Sequence, residues 1–523
     1  MNLDTSFSFN SCLENSGLLI KVDEVKGRYI VANKIIPSGD DVLRAYPFVS
    51  VVDGGKDHQW CSCCLKTSSK MFQCSRCGHA LYCSRECQLK DWQNHKLECK
   101  SLASIRPNKP TQTVLLLSRL LRCICTGDSG LYYENAEYHT GPMKNSQGTS
   151  EDILKLIYHE DTPRNEEDYA NYQNICMLVR RLIRDESWVE DQNKKNNIYI
   201  QIENMIKLLL RMSSNVFTTL TDDLNITGIG IYPVASLFNH SCIPNCAVTF
   251  DHNMICIRAM KTIQKGEELT ISYIDEHQPL YQRQKMLLHD YHFKCTCERC
   301  THPILELENL FVSYNCPLPS CKGICKPQGD NLSIERTHYK CDKCHKIYDK
   351  KSLSDRLEKK IEIAQIINND YEDSDRIEKQ HHDICEQLAV YHNCVCDYNT
   401  EYLKLQNELL YILLQKQDMK NALPICNHMI DTYENIIQYE KQYIHENLLF
   451  YPILSLYYAM RVKIYHYFED YRNCAMYCQV ASHSILVTHG RKSKIFSEFN
   501  LIHEEIIQRW MRSEFQLDEN YLH

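Results

Sequence analysis

Eight potential metal ligands fall in four short hooks between positions 61 and 99: Cys61-x2-Cys64, Cys74-x2-Cys77, Cys83-x3-Cys87 and His95-x3-Cys99. Structural zinc takes four Cys or His ligands in a tetrahedron, and a short hook lets one turn deliver two of them. Eight ligands therefore predict two closed zinc sites, with Cys63 as a spare thiol. A closed site offers no position to substrate or activated water, so the chemistry is structural. Zinc contributes on the order of 10 kcal/mol to small modules, and its removal is expected to unfold this segment. From Lys66 to Lys100 seven Lys or Arg face three acids, Glu86, Asp91 and Glu98. That surplus is either a solvated finger surface or a binding face.

Two further hooks follow. Cys295-x-Cys297-x2-Cys300 supplies three thiolates, so a fourth ligand must come from elsewhere in the fold. Cys316-x4-Cys321 and Cys341-x2-Cys344, with Cys325 between them, read as a zinc ribbon or as free thiols. Disulfides are not expected among the 29 cysteines, because the opening residues carry no basic stretch followed by an apolar run. The chain is expected to be soluble and non-secreted, without a membrane span. The cysteines outside the hooks read as buried thiols.

A third group is polar rather than thiol-rich. An apolar run from Gly228 ends in Ser236, Phe238, Asn239, His240, Ser241 and Cys242, followed by Pro244-Asn245. Gly266-Glu267-Glu268-Leu269 leads to Tyr273, and Tyr291-His292-Phe293 leads into the hook at Cys295. Singly, a strand tyrosine such as Tyr273 reads as half-buried packing.

The elements that must position these groups are mixed. Lys26 to Ala32, Val42-Leu43 and Val49 to Val52 read as short strands separated by the turn Pro37-Ser38-Gly39. Met254 to Arg258 and Leu269 to Tyr273, flanking Lys265-Gly266, read as an antiparallel pair. Val114 to Met212 is helix-like, an inserted layer. Tyr402, Leu405, Leu409, Ile412 and Leu413 share one helix face, and helices dominate from Leu353 onward. Asp370, Glu372, Asp373, Asp375 and Glu378 read as a solvated face. With 523 residues, 43% apolar and 24% charged, the chain should fold into several domains. A net charge of −8 gives no general attraction to nucleic acid or anionic membrane.

In combination these motifs resemble a known family. The 61–99 segment, with Tyr82 before Cys83 and Trp92 before His95, resembles the MYND finger. Asn239-His240-Ser241-Cys242-x-Pro244-Asn245, Gly266-Glu267-Glu268-Leu269 with Tyr273, and the hook at 295–300 resemble the SET domain and its post-SET segment. A SET domain split by a MYND finger resembles the SMYD protein-lysine methyltransferases. The resemblance implies an α+β multidomain protein. Its N-terminal SET strands would take residues 1–56, the MYND finger 57–102, a helical SET insert 103–212 and the SET core 213–290. A post-SET zinc segment with a possible extra ribbon would take 291–350, and a helical TPR-like domain 351–523. The string Val487 to Arg491 resembles a segment of that last domain.

The resemblance also distributes roles. Cys61, Cys64, Cys83 and Cys87 would hold one zinc, Cys74, Cys77, His95 and Cys99 a second, and Cys242 with Cys295, Cys297 and Cys300 a third; Cys316, Cys321, Cys341 and Cys344 could hold a fourth. S-adenosylmethionine would contact Lys26, Gly27, Arg28, Asn215, Ser236, Phe238, Asn239, His240, Tyr273 and Phe293. Tyr273 would be catalytic, and Phe217 and Tyr291 would line the lysine channel. One departure stands out: Tyr29 occupies the place of the family's second loop glycine. The implied function is lysine methylation of histone or non-histone protein by a monomer in cytoplasm and nucleus. The alternative is an inactive adaptor in which the finger recruits a proline-containing peptide and the helical domain a second peptide. A DNA-binding role ranks below both, for want of a basic recognition helix.

Overall fold

The structure, a computed structural model, describes residues 4–53, 60–68, 70–127, 130, 147–159, 166–184, 189, 195–221, 225–329, 332, 334–367, 376–441 and 451–519. Asp370, Glu372, Asp373 and Asp375 lie outside them. Two compact units divide the chain. The first takes Met1–His240, Pro244–Ile271 and Asp290–His292; the second takes Ser241–Ile243, Ser272–His289 and Phe293–His523.

The first unit interweaves sequence-distant strands. β1 (Leu18–Asp23) and β2 (Gly27–Ala32) form a hairpin whose turn closes at Gly27, φ +73°. That left-handed backbone suits glycine, which has no Cβ to clash. β3 (Asp41–Ala45) pairs with β11 (Met254–Ala259), which pairs with β10 (Cys246–Asp251). β4 (Val49–Val52) and β7 (Val216–Leu220) flank β8 (Ile226–Ile231). The residues between these halves therefore enter as insertions into one framework. A small hairpin, β5 (Phe72–Gln73) with β6 (Leu81–Tyr82), is followed by the helix Arg85–His95, capped by Ser84 Oγ accepting from Cys87 N.

The inserted layer is helical, with helices at Gln112–Thr126, Glu166–Ile183 and Ile202–Asn215. In the first, Thr111 caps the start, Gly127 at φ +76° ends it, and nearly every side chain from Val114 to Cys125 is buried. No helix among the described residues is long and apolar enough to cross a membrane.

One expected pairing is wrong. β11 does not pair back with β12 (Thr270–Ile271); β12 runs parallel to β9 (Asn239–His240). The turn after β11 is captured by the first strands: Ile36 and Ile263 exchange two backbone bonds of 2.9 and 2.8 Å, and Leu269 N donates to Ile30 O at 2.9 Å. Local alternation cannot reveal such a long-range partner.

The second unit carries a four-stranded ribbon, β13 (Tyr314–Asn315), β14 (Ile324–Pro327), β15 (His338–Cys341) and β16 (Ile347–Asp349). Helices follow at Lys350–Ile367, Arg376–Cys394, Thr400–Gln415, Met419–Glu440, Pro452–Tyr467, Tyr471–Thr488 and Lys494–Glu519, each packed on the next. Tyr402, Leu409, Ile412 and Leu413 are buried, and Leu405 is half-buried. The same turn occurs twice. Gln417 and Glu469 adopt φ near +57° and +56°, and Asp418 and Asp470 then cap the next helix through Asn421 N and Asn473 N.

Within this unit Arg283, Arg299, Glu308 and Glu440 are almost fully buried. Arg283 pairs with Glu308 at 2.8 Å and Arg299 with Glu440 at 3.0 Å, while Tyr451 donates to the other Glu440 oxygen at 2.5 Å. Removing one partner strands a buried charge. Glu440→Ala is therefore expected to cost roughly 3–5 kcal/mol, seen as a lowered calorimetric transition, whereas Glu378→Ala, which loses an exposed pair with Lys416, should leave that transition unchanged.

Candidate functional site

Four clusters of Cys and His bring their ligand atoms within 4.8 Å of one another: Cys61, Cys64, Cys83 and Cys87; Cys74, Cys77, His95 and Cys99; Cys242, Cys295, Cys297 and Cys300; and Cys316, Cys321, Cys341 and Cys344. Each could hold zinc. Cys63 is in none of them, and Cys325 is buried opposite Cys341 in the ribbon but outside the cluster.

The donor chemistry fits a cation. A metal ligand must be thiolate, and in each cluster one thiol is held toward that form while a neighbour, Cys64, Cys99, Cys242 or Cys321, is raised and must give up its proton to a metal. The Cys64 thiol and backbone amides bring Cys61 down to about 4. Burial raises Cys77, but His95 and the amides of Ala80 and His79 outweigh it and bring it to about 6. Burial likewise raises Cys316, but the Tyr348 hydroxyl, the Leu318 amide and Cys344 leave it at about 6. In the third cluster Cys242 and its neighbours lower Cys297.

Around two clusters the supporting groups are specific. His95 Nε2 lies 3.5 Å from Cys77 Sγ, and its Nδ1 is 3.7 Å from Glu98 Oε1. Arg119 grips Glu98 with two bonds of 2.7 and 2.5 Å and also donates to Ser50 O on β4. The finger is thereby tied to the strand framework of the same unit. In the third cluster Gln284 accepts from Cys295 N at 3.0 Å and donates to its carbonyl at 2.8 Å, and Arg299 donates to Cys242 O at 3.3 Å.

The polar residues of the first unit form a connected set. Asn239 Nδ2 donates to Glu268 Oε1 at 3.2 Å, and Lys26 Nζ pairs with Glu268 Oε2 at 2.6 Å. Asn245 staples the next turn: its Nδ2 donates to Glu267 Oε1 and Glu268 O at 3.1 and 2.8 Å, and its Oδ1 accepts from Thr270 N at 2.8 Å. Glu98, Asn245, Glu268 and Gln284 are not among the site residues the sequence suggests. Their neighbours do carry a signal, since each lies in or near one of the motifs.

Other expected site residues are committed to the fold. Arg28 is buried, donates to Asp4 O and Lys155 O, and lies over the Phe7 ring, so only its backbone remains for a ligand. Asn215 Nδ2 donates to Ile157 O and Arg211 O, and Ser236 Oγ donates to Tyr232 O at 3.0 Å. Phe238 is fully buried, and Phe217 packs edge-on against Tyr232 at 5.7 Å. His240 is half-buried on β9, and burial raises Tyr291 above an ordinary tyrosine. In the second unit Tyr273 and Phe293 meet edge-on, ring centroids 6.4 Å apart.

A SET domain model matches residues 27–274, so this framework and most of its polar cluster lie in a stretch similar to a SET domain. Three relatives narrow it further. Histone-lysine N-methyltransferase SMYD3 of Homo sapiens is 31% identical over 262 residues, half of this chain and 56% of that protein. Histone-lysine N-methyltransferase ASHR1 of Arabidopsis thaliana is 26% identical over 437 residues, 79% of this chain and 81% of that one. A SET and MYND domain-containing protein of Dictyostelium discoideum is 25% identical over 377 residues, 64% of this chain and 96% of that one. The chain is thus similar, over these stretches, to proteins of the SET-and-MYND (SMYD) family, and it spans little more than half the length of the human relative.

The Glu98 carboxylate stands 3.7 Å from His95 Nδ1, beyond hydrogen-bond reach but close enough to act on the imidazole by its charge, and groups placed behind a ligand histidine tune affinity roughly 10–100-fold. Glu98→Gln should lower zinc affinity at the cluster of Cys74, Cys77, His95 and Cys99 by that factor in a chelator competition and spare the other clusters. Unchanged affinity would mean that Glu98 serves only Arg119.

Proposed function

We propose that the chain is an S-adenosylmethionine-dependent protein-lysine N-methyltransferase. The observation that carries this is the polar set Lys26, Glu268 and Asn239, joined within one unit and inside or beside the stretch matching a SET domain. An ammonium and an amide held side by side suit the charged amino-acid end of a cofactor. When bound, S-adenosylmethionine supplies an electrophilic methyl group on a positively charged sulfur.

The protein's share is binding, orientation and proton control. Lys26, Gly27 and Arg28 would offer the hairpin turn, Asn239 and His240 the strand end, and Asn215, Ser236 and Phe238 the supporting wall. Phe293 would stack on the adenine. Phe217 and Tyr291 would line a lysine channel, where apolar walls disfavour the ammonium. A lysine otherwise costs roughly 4–5 kcal/mol to deprotonate at pH 7. Tyr273 would orient the neutral amine through its phenol, and positioning supplies much of the remaining rate.

The finer architecture belongs to the same reading. Residues 57–102 form a MYND finger, four zinc ions occupy the four clusters, and residues 351–523 form a TPR-like domain, a view supported by the repeated Asp-capped turn. The partner is a protein carrying the target lysine. Peptide docking at the finger or the helices is secondary.

Calorimetric titration with S-adenosylmethionine, metal analysis and label transfer onto a protein extract test this together. We expect cofactor binding, four zinc per chain, and transfer that falls on the order of 100-fold or more in Tyr273→Phe, with zinc content unchanged. A folded, zinc-loaded chain that binds no cofactor would sink the enzyme reading and leave the adaptor in front.

A further inference from the structure

Glu268 is the side chain that joins the β1–β2 turn to the strand end at Asn239. It is held from both sides, since Glu268 bridges Val31 in antiparallel fashion and its carbonyl accepts from Asn245. Its carboxylate is only 19% exposed, whereas Lys26, its partner, is 55% exposed. One carboxylate oxygen takes the Lys26 ammonium and the other the Asn239 amide, so both donors are fixed by a single acceptor.

The turn itself explains why such an acceptor is needed. Where the family's loop has a second glycine this chain has Tyr29, and the Lys26 ammonium lies 5.7 Å from that ring centroid. The Lys26 amide is anchored to Asp23 Oδ1 at 2.9 Å, which fixes the backbone but leaves a four-carbon stem to wander. The ring offers a weak cation contact and Glu268 a strong one, so the side chain is drawn across the turn rather than into solvent.

Resting on the methyltransferase reading, we propose that Glu268 is a positioning residue: it holds Lys26 and Asn239 together for the amino-acid end of the cofactor. It touches neither the sulfur nor the transferred methyl. Its loss acts on binding of that end alone.

The probes are S-adenosylhomocysteine, which has the amino-acid end, and 5′-methylthioadenosine, which lacks it, titrated calorimetrically into the full zinc-loaded chain. Glu268→Gln should weaken S-adenosylhomocysteine about three- to tenfold and leave 5′-methylthioadenosine unchanged; in turnover KM for S-adenosylmethionine should rise with kcat held. In a Lys26→Met background Glu268→Gln should add little, because the amide oxygen it leaves can still accept from Asn239 and the Lys26 pair is already gone. Equal weakening of both probes, no weakening of either, or additivity with Lys26→Met would overturn the proposal. If Glu268→Gln does not fold, the exposed Lys26→Met alone must show the same split between probes, and equal binding there would also overturn it. A wild-type chain that binds neither probe would instead refute the enzyme reading.

Discussion

Everything else in this fold is arranged around sulfur atoms that must be brought together although they repel. All 29 cysteines are free, and sixteen of the protein's side chains, fifteen thiols and one imidazole, converge in four clusters. Thiolates packed this closely are tolerable only around a cation, which turns repulsion into four attractions. The surrounding chain must then be rigid enough to keep the ligands converged. Gln284 clamps both backbone groups of Cys295, and Arg119 ties Glu98, the neighbour of the ligand Cys99, to Ser50 on β4. Support of this kind makes a structural ion felt well outside its ligands.

A second constraint acts on the strands. β9 and β12 are two residues each, too short to hold register by backbone bonds alone. Asn245 supplies the missing cross-links, meeting Glu267, Glu268 and Thr270 with one side chain. A buried amide that spends its donors and acceptor on three neighbours fixes their spacing more tightly than packing would. The same turn then presents Glu268 to Lys26 and Asn239.

How much of this is legible in the sequence depends on how far each interaction reaches. Hooks such as Cys61-x2-Cys64 are local, because two ligands on one turn leave a spacing that can be read directly. The interleaving of the first two ligand sets and the fourth ligand Cys242 come only from resemblance, since spacing cannot pair one hook with another. Helices such as Gln112–Thr126 announce themselves by a cap and an apolar run. The parallel pairing of β9 with β12 does not, because its partner lies thirty-one positions away and no alternation encodes it. Arg28 shows another limit: the motif suggests that its backbone approaches a ligand, but nothing in the sequence tells that its side chain reaches the carbonyls of Asp4 and Lys155.

The buried charges of the second unit raise the question of why ions stand where a hydrocarbon core would serve. Desolvating Arg283, Arg299, Glu308 and Glu440 consumes much of the attraction between them, so the network is a weak source of stability. Its value lies in geometry. Arg299 sits between the ligands Cys297 and Cys300 and donates to the carbonyl of Cys242, while its charge is matched by Glu440 from the helix Met419–Glu440. A leucine there could slide by a rotamer without penalty, but a guanidinium is drawn to the one place that faces both a carbonyl and a carboxylate, even though its Nε and Nη2 find no hydrogen-bond partner among the described residues. The third cluster is thus held in register with the helices of its own unit by an interaction whose alternatives are all expensive, and that intolerance of misplacement is what a loop carrying three metal ligands requires.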